Sequence, residues 1–310
     1  MRIVKDDPIA DYDKPAFEDK YISTFNKYNT ELDDQDIAKK TENIIKNCLA
    51  ENDNLEVKKF LLNSVELTSL NTTDNEDSIL KMVEKVNDFD SDYPELGNVA
   101  TICVYPNFAS ICHDTLENED VKIACVSGSF PSSQTFSEIK IAETALAIED
   151  GAEEIDMVLP VGKFLAGDYE GAADEIEEMK ATCKDKKLKV ILETGALKTA
   201  ENIKKASILA IYAGADYIKT STGKISVGAT PEAAYVMCQT IKEYNDKHNT
   251  KIGFKAAGGL KTVKDAIIYY TIVKEILGKE WLNNELFRIG TSSLANLLLS
   301  EITGEEKKYF

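Results

Sequence analysis

Short apolar runs alternate with amphipathic segments along most of the chain. Residues 99–105, 121–126, 154–160 and 188–194 are rich in Val, Ile and Leu, whereas the segments between them carry apolar residues at helical spacing. Runs that are apolar on both faces are typical of parallel strands covered by helices. The pattern therefore predicts strands that alternate with helices along one parallel sheet.

The alternation has eight units. The predicted strands are residues 60–67, 99–105, 121–126, 154–160 and 188–194, two short segments that end near Lys219 and Lys255, and residues 286–290. The predicted helices are residues 74–86, 108–116, 138–149, 169–183, 200–212, 230–244, 262–277 and 292–302. Eight even strand–helix units predict an α/β fold, a closed parallel (β/α)8 TIM barrel over residues 58–303. A doubly wound sheet is the alternative, but no Gly-rich nucleotide-binding turn follows any predicted strand.

Residues 1–57 precede this alternation and are predicted to form an N-terminal extension. Its start is polar and acidic, contains Pro8 and Pro15, and is expected to be irregular. Apolar residues recur at helical spacing between Asp36 and Leu49, which predicts one helix that docks on the barrel. A partner-binding or regulatory arm is the alternative. Residues 304–310 are predicted to form a C-terminal tail.

Two predicted strands carry a lysine near their end, followed by small residues. One helix separates Lys219 from Lys255, so parallel neighbouring strands would place both amines at the same end of the sheet, about 4.8 Å apart. Their repulsion at an effective dielectric of ~20 is about 3 kcal/mol, or roughly two pKa units. One amine would then be a neutral nucleophile and the other its activator, and the residues alone do not say which. The alternative is an edge strand with Lys219 in water.

The C-terminal ends of the predicted strands hold many polar and charged residues, and barrel enzymes carry their active sites there. Asp156 interrupts an apolar strand and is predicted to relay protons near the amines, with a structural ion pair to a barrel lysine as the alternative. Glu193 is a weaker candidate for the same role. Other polar residues at these ends are Glu66, Thr68, Cys103 and Lys224.

Small and hydroxyl-bearing residues follow the last three strands at predicted helix N-termini, where free N–H groups favour phosphate. The predicted phosphate site comprises Gly223, Lys224, Gly258, Gly259, Gly290, Ser292 and Ser293. Ordinary turns and helix caps are the alternative.

Composition narrows the range of partners. The chain has 310 residues, 43% of them hydrophobic, and a net charge of −18, which argues against nucleic-acid and anionic-membrane partners. No apolar run is long enough to span a membrane, and residues 1–20 contain no secretory signal. Scattered cysteines without a Cys-x-x-Cys pair indicate reduced thiols in a cytoplasmic protein. The two histidines lie far apart, which argues against a metal centre built on imidazoles.

These motifs together resemble deoxyribose-phosphate aldolase, a family of class I, Schiff-base aldolases on an eight-fold β/α barrel. The likeness covers about residues 61–299. It rests on residues 218–224, 253–259 and 287–293, and residues 102–106, 154–156 and 192–195 also fit the family pattern.

The resemblance implies reversible cleavage of 2-deoxy-D-ribose 5-phosphate to acetaldehyde and glyceraldehyde 3-phosphate. Lys219 would form the imine, Lys255 would lower its pKa, and Asp156 would relay protons. Substrate contacts would come from Glu66, Thr68, Cys103 and Thr222, and the glycine and serine loops would hold the phosphate. Such a mechanism needs no metal or organic cofactor, because the iminium itself withdraws electrons. The implied partner is a small phosphorylated sugar, and a homodimer is a possible assembly.

Three positions depart from the family pattern. Glu66 stands where the family has Asp, and Ala256 stands where it has Pro. Family members can end in a mobile tail whose terminal tyrosine assists proton transfer, and Tyr309, followed here by Phe310, is expected to have that role. Two alternatives remain open: a related barrel that acts as a binding or scaffold protein, and another Schiff-base aldolase for a different sugar phosphate.

Overall fold

The computed structural model describes residues 20–310. The irregular segment predicted around Pro8 and Pro15 lies outside this range. Residues 1–19, most of the segment in which no secretory signal is predicted, also lie outside it. Within residues 20–310, no helix is both long and apolar enough to cross a membrane.

Eight parallel strands close into a barrel in chain order, with β1 paired to both β2 and β8. This confirms the predicted (β/α)8 TIM barrel. Strands β1 to β8 are Val65–Thr68, Thr101–Val104, Lys122–Ser127, Glu154–Val158, Lys187–Ile191, Tyr217–Lys219, Gly253–Ala257 and Phe287–Thr291.

A ring of helices surrounds the strands, and three further helices precede it. Helices α1 to α3 are Lys20–Phe25, Asp34–Asn52 and Leu55–Asn63. The ring helices that follow β1 to β8 are α4 Glu76–Asp92, α5 Ala109–Thr115, α6 Ser137–Glu149, α8 Tyr169–Cys183, α10 Ala200–Tyr212, α11 Pro231–His248, α12 Val263–Leu277 and α13 Leu294–Thr303. Short helices α7 Val161–Leu165 and α9 Thr194–Leu197 lie in the loops after β4 and β5.

Side-chain caps determine where several ring helices begin. Thr199 and Thr230 each accept a hydrogen bond from a first-turn N–H of α10 and α11, respectively. Thr262 and Asp265 form a reciprocal capping box at the start of α12. Because such caps are short-range in sequence, helices α8 and α10 have the bounds that the pattern predicts.

The strand predicted at residues 60–67 is wrong in its first half, because residues 60–63 belong to helix α3. Asn54 caps this helix by accepting the N–H of Val57, and the helix buries Val57, Leu61 and Leu62. A short apolar run of Phe and Leu suits a buried helix as well as a strand, so periodicity alone could not decide. The boundary predicted after residue 57 therefore falls inside α3.

The extension packs on the outside of the ring. The rings of Phe25 in α1 and Tyr169 in α8 pack edge to face, with their centroids 5.0 Å apart. At the C-terminal end of α2, the Asn52 amide donates to Thr271 of α12 at 3.0 Å and accepts from Lys274 at 2.7 Å. Helix α2 thus lies where the sequence predicts one docking helix, and α1 and the start of α3 also fall within residues 20–57.

We expect the packing of α3 to contribute strongly to stability. Leu61 is fully buried, so Leu61→Ala should lower the free energy of unfolding by about 2–5 kcal/mol through lost burial and a residual cavity. Leu55→Ala is the matched control on the same helix, because Leu55 is 47% exposed and should cost less than about 0.5 kcal/mol. Urea unfolding of both variants measures the difference, and equal losses would contradict the packing described.

Candidate active site

A cavity of about 220 Å³ opens at the C-terminal ends of the strands. Its walls come from the loops after β1, β6, β7 and β8. The predicted site residues that line it are Thr68, Lys219, Thr222, Gly223, Lys224, Gly258, Gly259, Gly290, Ser292 and Ser293. The structure therefore gathers the predicted phosphate loops and one of the two predicted lysines around one cavity.

Lys219 and Lys255 are direct partners on neighbouring strands β6 and β7, as predicted. Both amines donate to the same carboxylate oxygen: the Nζ atoms of Lys219 and Lys255 each lie 2.7 Å from Oδ2 of Asp156. Lys219 is 3% exposed, whereas Lys255 and Asp156 are fully buried. One carboxylate in the barrel interior thus holds both ammonium groups.

Gly290 of β8 makes room for this arrangement. A Cβ atom at that position would lie 2.9 Å from Cε of Lys255. A side chain there would force Lys255 or its neighbours to shift, so Gly290 both lines the cavity and leaves space for the second lysine.

A second layer of charge lies beneath Asp156, and sequence reasoning did not predict it. Lys189 of β5 lies 2.9 Å from Glu66, 2.6 Å from Glu154 and 3.1 Å from Oδ1 of Asp156. Arg288 of β8 donates to Glu154 through both terminal nitrogens, at 3.2 Å, and to Glu66 at 3.3 Å. Glu66 also accepts a hydrogen bond from Lys255.

The alternation of side chains along a strand was the sequence signal for the second layer of charge, because residues two apart point to the same face of the sheet. Glu154 stands two residues before Asp156, and strand register pairs Asp156 with Lys189 and Lys255 with Arg288. Residues at these positions share the inner face of the barrel. The charges therefore form one buried cluster of seven residues: Glu66, Glu154, Asp156, Lys189, Lys219, Lys255 and Arg288.

The cluster holds four potential cations and three carboxylates. Fully ionised, it carries one excess positive charge away from water, which is strongly unfavourable. Among residues 20–310, Lys219 is the cluster lysine with the fewest carboxylate partners, since it contacts Asp156 alone. Loss of its proton would leave the cluster neutral.

The pKa shifts follow these contacts. Burial lowers the pKa of Lys219, and repulsion from Lys255 adds to burial, while Asp156 only partly opposes them. Burial also disfavours charge on Lys255 and Lys189, but their carboxylate partners outweigh it and raise both pKa values. Lys189 and Lys255 overcome the burial of Glu66 and lower its pKa to about 2. Of the three lysines in the cluster, Lys219 is thus the one that gives up its proton most readily.

Two predicted substrate contacts lie beneath the cavity. Cys103 of β2 is fully buried next to Thr68 in the sheet, and burial raises the pKa of its thiol. Glu66 is also fully buried, and its oxygens face Lys189, Lys255 and Arg288. In this structure neither residue is part of the cavity wall.

Oxygen and sulfur atoms of Glu66, Cys103 and Asp156 approach within 4.8 Å of one another, a spacing that suits metal ligands. The carboxylate oxygens of this group, however, already contact lysine ammonium groups. A metal ion would have to displace those lysines and add charge to a cluster that is already positive. The donor set therefore fits ammonium groups better than a metal ion.

Tyr309 lies on the outside of the barrel, away from the other predicted residues. The tail turns back along α13, where the side chain of Asn296 accepts the N–H groups of Tyr309 and Phe310 at 2.7 and 3.0 Å. The Tyr309 hydroxyl donates to Asp92 at the end of α4, at 2.8 Å. A role in proton transfer would require the tail to leave this position, so it stays a prediction.

Comparison with known proteins gives the family. A family model described as DeoC/LacD family aldolase matches residues 64–298, which is most of the chain and all eight strands. The chain belongs to this aldolase family. A Caenorhabditis elegans protein described as a "putative deoxyribose-phosphate aldolase" is 41% identical over 280 residues, covering 88% of this chain and 90% of that one.

Solved structures agree with the family. Deoxyribose phosphate aldolase from Aeropyrum pernix, described as tetrameric, is 25% identical, with a TM-score of 0.65 over 83% of this chain and 97% of that one. A crystal structure of a "putative deoxyribose-phosphate aldolase" from Toxoplasma gondii has a TM-score of 0.70 at 22% identity. The match covers 81% of this chain and 94% of that one. At that lower identity the likeness shows the shared fold.

The buried cluster generates a stability prediction. Arg288→Met should lower the free energy of unfolding by about 3 kcal/mol or more, because the buried carboxylate of Glu154 loses two charge-assisted hydrogen bonds and keeps Lys189 as its cation partner. Lys187→Met, which breaks the exposed ion pair with Glu285, is the control and should cost at most about 1 kcal/mol. Urea unfolding measures the stability of both variants. An Arg288→Met protein as stable as wild type would show that the second layer of charge contributes nothing to stability.

Proposed function

We propose that this family member is a class I aldolase that reversibly cleaves 2-deoxy-D-ribose 5-phosphate to acetaldehyde and glyceraldehyde 3-phosphate through a Schiff base on Lys219. One observation carries the proposal: of the three lysines in the buried cluster, Lys219 alone lines the cavity, and it alone has a lowered pKa. A neutral, accessible amine is what imine formation requires. This asymmetry favours Lys219 over Lys255, which the residues alone left undecided.

In the proposed reaction the neutral Lys219 amine adds to the C1 aldehyde of the open-chain sugar. Loss of water gives an iminium, which withdraws electrons from the C2–C3 bond. Departure of the C3 hydroxyl proton lets that bond break, and the C3 carbon leaves as the aldehyde of glyceraldehyde 3-phosphate. The resulting enamine takes a proton at C2, and water then releases acetaldehyde and restores the amine.

Asp156 and Lys255 are the proposed proton carriers. Oδ2 of Asp156 lies 2.7 Å from both amines, so it connects Lys255 to the reacting nitrogen by two short hydrogen bonds. Lys255 keeps its own charge because Asp156 and Glu66 raise its pKa. We propose that Glu66 acts through Lys255, since its carboxylate is buried beneath the cavity and contacts cations of the cluster.

The cavity wall suits a phosphorylated sugar. Thr68 and Thr222 supply hydroxyl groups near Lys219, and the glycines at positions 223, 258 and 259 expose backbone beside it. Ser292 and Ser293 stand at the N-terminus of α13, where the helix dipole favours an anion. The proposed orientation places the C1 end at Lys219 and the phosphate at these loops.

Trapping with acetaldehyde and borohydride tests the proposed nucleophile. Reduction of the imine should leave an ethyl group on Lys219, identified by peptide mass, and Lys219→Met should abolish both the adduct and the cleavage of the sugar phosphate. Lys242→Met, at a lysine whose side chain is 49% exposed, is the control and should be trapped like wild type. An adduct on Lys255 in wild type would contradict the assignment. If acetaldehyde is trapped on Lys219 but 2-deoxyribose 5-phosphate is not cleaved, the substrate is a different sugar phosphate.

The pH dependence of trapping tests the activator. The fraction of neutral Lys219 rises as pH rises through its lowered pKa, so trapping should accelerate over that range. Lys255→Met removes a neighbouring positive charge and leaves Asp156 in place, so the pKa of Lys219 should rise and the profile should move to higher pH by about one unit or more. A profile that stays in place, or moves to lower pH, would rule out activation by Lys255.

Replacing Tyr309 tests the tail. If Tyr309 assists proton transfer, Tyr309→Phe should slow proton exchange at C2 of acetaldehyde, followed by NMR in deuterated water. Removal of the hydroxyl also breaks the contact with Asp92, so Asp92→Asn is the control for an effect that comes from undocking alone. Exchange at the wild-type rate in Tyr309→Phe would end the catalytic role.

A further inference from the structure

We propose that Glu193 is a positioning residue that holds the loop after β6 in the shape that binds the substrate's phosphate. The inference rests on the proposed function, because it assigns phosphate to that loop. It gives Glu193 a different task from the proton relay for which the sequence made it a weaker candidate.

Glu193 has an unusual backbone. It follows β5 with φ 56° and ψ 57°, in the left-handed region that non-glycine residues rarely adopt. Such a conformation is strained and persists when surrounding contacts enforce it, often at functional sites. The residue is 5% exposed, so its carboxylate is turned into the protein.

Both oxygens of that carboxylate contact one residue of the next loop. Oε2 accepts the hydroxyl proton of Thr222 at 2.5 Å, and Oε1 accepts the Thr222 backbone N–H at 3.2 Å. No ion pair to Glu193 is present among residues 20–310. A buried carboxylate without a cation is costly, so its two hydrogen bonds to Thr222 are what hold it in place.

Thr222 passes this constraint to the cavity wall. Because its hydroxyl proton goes to Glu193, its oxygen lone pair is free to accept the N–H of Lys224, at 3.0 Å. This bond spans Gly223, which has φ +76°. Thr222, Gly223 and Lys224 all line the cavity, so the carboxylate fixes the turn that presents them.

The turn also touches the neighbouring phosphate loop. A Cβ atom on Gly258 would lie 3.1 Å from the Cα of Gly223, and the N–H of Ala229 donates to the carbonyl of Gly258 at 2.9 Å. Two residues beyond Glu193, a Cβ atom on Gly195 would lie 2.3 Å from the carbonyl oxygen of Val227. The loop after β5 thus packs on the loop after β6, which packs on the loop after β7.

Two substrates, one with and one without the phosphate, distinguish a positioning role of Glu193 from a role in proton transfer. Glu193→Gln cannot accept from both Thr222 groups in the same way, and we expect KM for 2-deoxyribose 5-phosphate to rise about tenfold, in line with a lost charge-assisted hydrogen bond. KM for unphosphorylated 2-deoxyribose should change far less. A fall in kcat of equal size for both substrates, with KM unchanged, would show a role in the chemistry and overturn the proposal.

Further variants test the route through Thr222. Adding Glu193→Gln to Thr222→Val should raise KM little beyond Thr222→Val alone, because the two changes remove the same contact. Glu193→Asp keeps the charge and suits a left-handed backbone but falls short of Thr222, so it should raise KM as Glu193→Gln does. Full activity in Glu193→Asp would overturn the proposal. Glu201→Gln, on the exposed end of α10, is the control and should leave KM unchanged.

Calorimetry with inorganic phosphate keeps this inference separate from the proposed reaction, since it needs no turnover. We expect wild type to bind phosphate and Glu193→Gln to bind it about tenfold more weakly. If Glu193→Gln binds phosphate more weakly than wild type but acetaldehyde is not trapped on Lys219, the proposed function is wrong and the inference about Glu193 still holds. Equal phosphate binding by both proteins, or none by wild type, would overturn the inference even if Lys219 is trapped.

Discussion

The sharing of one carboxylate oxygen by two lysine amines governs the chemistry of this barrel. Oδ2 of Asp156 accepts from Lys219 and Lys255 at the same distance, but the two amines are not equivalent. Lys255 has Glu66 as a second partner, whereas Lys219 has only Asp156 and an opening to the cavity. With one more cation than carboxylate in the cluster, relief of the excess charge falls on Lys219.

The second layer of charge maintains this difference between Lys219 and Lys255. Glu154, Glu66, Lys189 and Arg288 hold one another in place beneath Asp156, and because each is at most 2% exposed, water screens their charges little. The carboxylate of Glu66 contacts Lys189, Lys255 and Arg288 together. Its contact with Lys255 helps to keep that amine charged.

Much of this arrangement could be predicted from the sequence. Strand–helix alternation gave the barrel, and the matching positions of Lys219 and Lys255 gave their pairing, because parallel register is a local consequence of equal strand–helix units. Residues 60–63 were misassigned because a short apolar run does not reveal its own periodicity. Lys189, Glu154 and Arg288 were missed because a charged side chain in a strand usually faces solvent, and only barrel closure brings β4, β5, β8 and β1 around one axis. The resting place of Tyr309 depends on side chains of α4 and α13, which no local pattern connects to the tail.

The most direct test is a titration of the lysine ammonium groups by NMR, with lysine carrying ¹³C at Cε and assignments made by single Lys→Met changes. Lys219 should titrate below the ordinary lysine value of about 10.4, while Lys189 and Lys255 should stay charged beyond it. A Lys219 resonance that titrates at or above the ordinary value, or a Lys255 resonance that loses its proton first, would contradict the central claim.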